Sequence, residues 1–253
     1  MPVSTRTRCL VVALAALLVA PLLSASDPVI AEHAAAFPPY IVVGFVGGFV
    51  RHDNPHQGPV IFAQQARRKF PKNSYIQIFE NRHRKTAYKK ILRLLDSNHD
   101  GSLTADEKTR ARIVLFGHSW GASAVVLLAR ELNREGIPVL LTVQVDSVAK
   151  PWQHDEMIPD NVNAAVNFYQ PHGFIHGRSE IRAADNSKTA ILGNFRFDYQ
   201  NQPIKCEGTS WFDRAFMGDH MQSECDPRIW SQVDEYIDER VTHLANIAEV
   251  PGS

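Results

Sequence analysis

The stretch that most constrains the fold runs from Ile113 to Arg134. Residues 113–116 are an unbroken apolar run, Gly117-His118-Ser119-Trp120-Gly121 follows, and residues 122–134 read as an apolar helix closed by Gly136. A strand without polar alternation is buried on both faces, which predicts a parallel sheet covered by helices on either side. Glycines at 117 and 121 suit a turn too tight for side chains. That turn would strain the backbone of Ser119 and lift its hydroxyl above the sheet edge, at the positive end of the following helix. The bare pentapeptide G-x-S-x-G is common; strand, tight turn and helix around it are what point to a nucleophile.

The rest of the chain keeps the same alternation. Residues 41–46 form another continuous apolar run ending in glycines, and Pro59 suits the first position of a helix over 59–69. Residues 74–80 alternate as a strand does. Tyr88, Ile91, Leu92 and Leu95 recur at helical spacing within 84–95, with basic residues on the other face. Strands are expected at 139–145, 163–169 and 190–197, and an amphipathic helix from 227 to about 244. Six strands alternating with helices predict one α/β domain with a mostly parallel sheet.

Composition narrows the function class. The 253 residues carry 27 basic and 27 acidic side chains, with no basic cluster of the kind nucleic-acid binding needs. Arg6 and Arg8 precede an apolar run over residues 10–23, and the small residues Ser24, Ala25 and Ser26 come before Asp27. This reads as a secretory signal peptide over 1–26, leaving a single domain over 27–253. The run of about 14 residues falls short of the roughly 20 that cross a bilayer. Cys9 would leave with the signal. Cys206 and Cys225 then remain as an even pair in an oxidising, secreted or periplasmic setting, and a disulfide between them is expected.

With the strand–GHSWG–helix unit in this order of elements, the chain resembles the α/β-hydrolase superfamily, and within it the compact secreted esterases and lipases. The resemblance implies a triad in the order serine, acid, histidine. Asp146, at the end of the strand over 139–145, is the expected acid, with Asp155 and Asp185 as substitutes. One strand later, where many members of the superfamily carry the acid, this chain has Tyr169-Gln170-Pro171. His220, expected in a loop after the last strand and before the closing helix, is the expected base; His172, His176 and His243 are less well placed. Trp120 and either Gly48 or Phe49 would supply the N–H groups of an oxyanion hole. The expected disulfide brackets His220.

A second motif lies between helix 84–95 and the strand that delivers Ser119. Asp96, Asn98, Asp100, Gly101 and Glu107 match the EF-hand loop pattern at every specified position, and Leu103 is the apolar eighth residue. Side chains of Asp96, Asn98, Asp100 and Glu107, the Ser102 carbonyl and Thr104 are the expected Ca2+ ligands. The loop has no paired second copy, so a structural brace of weak affinity is expected, not a sensor.

Weaker signals are residues 51–56, expected as a plain polar loop after the glycines, with the site mouth or a metal as alternatives, and Phe195, Phe197, Trp211, Phe212, Phe216 and Met217, expected as core with walls of an acyl pocket as the alternative. The expectation is a secreted, monomeric serine hydrolase acting on a small-molecule or lipid ester, without an organic cofactor. The alternatives are hydrolysis of an amide, thioester or carbohydrate ester by the same triad, or a non-catalytic calcium-binding protein on a hydrolase scaffold.

Overall fold

The computed structural model describes residue 1 and residues 38–208 and 211–248, with backbone only for 211–216 and 242–248. The expected signal peptide lies outside the described residues. Six parallel strands form the main sheet: β1 (Ile41–Val46), β2 (Tyr75–Glu80), β3 (Ile113–His118), β4 (Val139–Val145), β5 (Val162–Tyr169) and β6 (Ala190–Arg196). They lie in the order β2-β1-β3-β4-β5-β6. This is the α/β class that the alternation predicts. A separate two-stranded pair joins Met157–Ile158 to Arg182–Ala183.

Helices cover both faces, as parallel strands require. On one side α1 (Gly58–Lys69) and the closing helix α6 (Pro227–Ala248) bury Phe62, Ala66, Ile229 and Val233 against Val42, Val114 and Val143. On the other, α2 (Arg84–Leu95) and α4 (Trp120–Arg134) bury Ile91, Leu95, Val125 and Leu128 against Val43, Phe45 and Leu115. Successive residues of β1 thus serve opposite cores, which is why the strand is apolar throughout. A short α3 (Ala105–Thr109) follows the acidic loop.

One element departs from expectation. Residues 211–225 form a helix, α5 (Trp211–Cys225), broken by a non-helical Gly218 at φ 35°. Its weak apolar periodicity hides it in the sequence, and the glycine resembles a loop signal. Cys206 and Cys225 form the expected disulfide, with Cα atoms 5.7 Å apart. Phe195 and Phe197 pack in the core with Phe168; the side chains of Trp211, Phe212 and Phe216 lie outside the described residues.

The strand order decides where a site can form. The chain reverses direction of sheet growth between β1 and β3, so the connections leaving their carboxyl ends part to opposite faces and open a crevice. The loop after β1 and the turn after β3 border it.

Candidate active site

Ser119 sits in the turn between β3 and α4 at φ 57°, ψ −127°, a conformation that side chains rarely adopt. The flanking glycines are forced by space. A Cβ on Gly121 would lie 2.3 Å from the Phe45 carbonyl oxygen, and one on Gly117 would lie 2.6 Å from the Gly121 carbonyl carbon.

His220 lies on α5, two residues beyond the Gly218 break, and not in a loop. The break turns its ring into the crevice. Nε2 is 2.9 Å from Ser119 Oγ, and Nδ1 is 2.7 Å from Asp146 Oδ2. A carboxylate can only accept, so Nδ1 carries the proton and Nε2 is free to accept from the serine hydroxyl. His220 is 1% exposed and Asp146 is fully buried, while Ser119 is 8% exposed.

Asp146 follows β4 at φ 44° and is held from several sides. Its carboxylate accepts from Gly177 N (2.7 Å), Gln170 N (3.2 Å) and Gln170 Nε2 (2.9 Å). Gln170, just after β5, therefore supports the Asp146 carboxylate with both its backbone and its side chain. Burial opposes ionisation of Asp146, yet the hydrogen bonds from His220 and Gln170 hold its pKa below the ordinary carboxylate value. Burial drives the His220 pKa below the usual histidine value, and the charge of His118 adds to that. The Asp146 carboxylate works against both, but the net shift favours the neutral, proton-accepting ring. The substitutes are otherwise engaged: Asp155 accepts from Ser147 Oγ and Arg178 Nε, and Asp185 from Ser187.

The crevice is a cavity of about 630 Å³. Gly47, Gly48, Phe49 and Trp120 line it beside Ser119, so the expected oxyanion segment and the expected nucleophile share one space. Asn81, which no sequence motif marks, pins that segment: its Nδ2 donates to the Gly48 carbonyl at 2.6 Å and lies 3.4 Å from that of Val46. The remaining walls are mainly apolar, with Val50, Val148, Ile175, Met217, Met221 and the disulfide. Asn54 and His56 bring the polar 51–56 loop to the same cavity. Phe49 is 82% exposed at the rim, edge-on to Trp120.

The acidic loop lies apart from this cavity, between α2 and α3. It curls as its motif requires, with His99 at φ 59° and Gly101 at φ 83°. Asp96 accepts from Asp100 N and Gly101 N, Asn98 from Asp100 N, and Asp100 from Ser102 N. The donors are all oxygen, which fits a hard cation such as Ca2+. Glu107 is engaged differently. Ser97 and Thr104 each donate both a backbone N–H and a hydroxyl to its carboxylate, and Thr104 caps α3 in return. These bonds, Ser97 foremost, lower its pKa to about 2. Among the described residues, the only trio of histidine, cysteine or acidic side chains with ligand atoms within 4.8 Å of one another is His118, Asp146 and His220. An ion in the acidic loop would thus compete with Ser97 and Thr104 for Glu107.

No helix among the described residues is long and apolar enough to cross a membrane. No family model and no curated protein matches the chain. Among solved structures it is similar to a cutinase-like protein from Cryptococcus sp., at 14% identity and a TM-score of 0.40, over 82% of this chain and 97% of that one. It is also similar to an acetyl xylan esterase (11%, TM-score 0.39, 81% and 99%) and to RedJ (11%, TM-score 0.38, 80% and 95%). At such identities the chemistry has to be read from the side chains.

Proposed function

We propose that the chain is a secreted or periplasmic serine hydrolase of carboxylic esters, with Ser119 as nucleophile, His220 as general base and Asp146 as the acid that orients it. One observation carries the reading: a strained, cavity-facing serine lies within hydrogen-bond distance of an imidazole whose far nitrogen is fixed by a buried carboxylate. In this account Ser119 Oγ attacks the ester carbonyl while His220 Nε2 takes its proton. The negative charge on the carbonyl oxygen is met by N–H groups of Trp120 and of Gly48 or Phe49. His220 then protonates the leaving alcohol, and water activated by the same imidazole releases the acid from the acyl-enzyme. The apolar walls suit the acyl portion of a small-molecule or lipid ester.

Ca2+ is proposed as a brace held by Asp96, Asn98, Asp100, the Ser102 carbonyl, Thr104 and Glu107, remote from the chemistry. Ser119→Ala tests the main reading: ester turnover should vanish while the melting temperature holds. Full turnover in that variant would refute it. A panel of chromogenic esters, thioesters and amides identifies the bond, with esters expected to lead.

A further inference from the structure

Beneath the reacting trio lies a second buried imidazole and carboxylate that the reaction as written does not use. His118, the last residue of β3, directs Nδ1 at Glu224 of α5, and both side chains are more than nine-tenths buried. Glu224 also accepts from Gly58 N at 3.0 Å, so its charge faces the positive end of α1. Its backbone carbonyl is held by Trp230 Nε1 at 2.7 Å, and the next residue is the disulfide's Cys225. The carboxylate is thus held between the His118 ring and the Gly58 N–H.

The other nitrogen of His118 faces Ser223. Nε2 lies 3.1 Å from Ser223 Oγ, and that hydroxyl lies 2.8 Å from the His220 carbonyl oxygen. Asp146 Oδ2 lies 3.4 Å from the same hydroxyl; Ser223 has one proton, and both the carbonyl and the carboxylate can only accept it. His118 Nε2 must then donate to the Ser223 lone pair. With Nδ1–H on Glu224 as well, His118 carries both protons and a positive charge. Its ring lies against that of His220, with centroids 4.7 Å apart and planes inclined by 30°.

We propose that His118 and Glu224 are positioning residues that seat His220 and, through the charge on His118, keep it in its proton-accepting form under acidic conditions. The inference rests on the reading of Ser119, His220 and Asp146 as the reacting unit. Among the described residues, the charged groups facing His118 are Glu224 and His220 from α5 and Asp146 from the end of β4. No other titratable side chain lies on β3, α1 contributes its Gly58 N–H, and His56 and Glu207 stand farther along the cavity wall. The direction follows from distance. The cation is in ring contact with His220, a nitrogen of each ring lies within 4.8 Å of the other, and its charge acts on His220 more strongly than that of Glu224, so a second positive charge on His220 is disfavoured. Burial opposes charging of His118, but Glu224 outweighs it and raises its pKa above the ordinary value.

The test is the pH profile of kcat/KM on a soluble chromogenic ester for the unsubstituted protein, His118→Gln and His118→Gln/Glu224→Gln. His118→Gln removes the cation and leaves the anion, so the acid limb should move up by about one to two pH units at an effective dielectric near 20. The double variant should move it up less. A limb that stays in place in folded His118→Gln, even with a lower plateau, overturns the proposal, because a merely structural role moves the plateau alone. A readout free of substitution is the 15N histidine spectrum of the unsubstituted protein. His118 should be doubly protonated at a pH where His220 is neutral, and a neutral His118 there overturns the proposal too. Failure of the underlying reading is distinct: Ser119 would then react with neither ester nor fluorophosphonate, whatever the state of His118.

Discussion

His220 reaches Ser119 across 101 residues of chain and Asp146 across 74, whereas the side-chain hydrogen bonds within the acidic loop span ten residues or fewer. The two polar clusters are therefore held by different things. The Ser119 site exists only if β3, β4 and α5 are in place, and its donors and acceptors already point at one another. The loop at 96–107 folds on itself, and its carboxylates satisfy the loop's own N–H groups. A long-range site is preorganised by the core; a local loop can trade its internal bonds for an ion. The first should fail through small displacements and the second through competition.

The largest effect expected of breaking the site is in Ser119→Ala, which should lower ester kcat on the order of a million-fold. Asp146→Asn should cost about 10⁴-fold, because the imidazole loses the partner that fixes its tautomer. Gly177→Ala probes the long-range support: its Cβ would lie 2.4 Å from Asp146 Oδ1, and a shift of the acid by about 1 Å should cost about 100-fold in kcat. All three are read by steady-state kinetics, with melting curves as the check on folding.

Stability effects sharpen the other half of the comparison. The Cys206–Cys225 bridge closes a 19-residue separation around His220, so replacing both by serine should cost about 3 kcal/mol on the chain-entropy model, or roughly 6–12 °C in Tm. Chelation is the mildest perturbation. At free calcium a few-fold above Kd, its removal should cost about 1 kcal/mol and ~2–4 °C, with little change in kcat. An unchanged Tm would remove calcium from the account.

Much of this was legible in the sequence because it is local. Continuous apolar runs gave the parallel strands, and the glycines at 117 and 121 gave the turn, since both follow from neighbouring residues alone. The register of the loop motif was equally local. What escaped was set by tertiary packing. The helical placement of His220 was hidden by Gly218, which reads as a loop and acts as a break. Asn81, Gln170 and the His118–Glu224 pair are ordinary polar residues in sequence, and only the fold brings them beneath the site. Glu107 shows the limit from the other side, because its motif names an ion ligand while its own neighbours engage the carboxylate.

The most direct test of the central claim is covalent labelling with a fluorophosphonate, mapped by mass spectrometry of the digested protein. The account predicts a single adduct on Ser119, lost in Ser119→Ala and strongly slowed in His220→Ala. No adduct on the folded protein, or an adduct on another residue with Ser119 untouched, would contradict it.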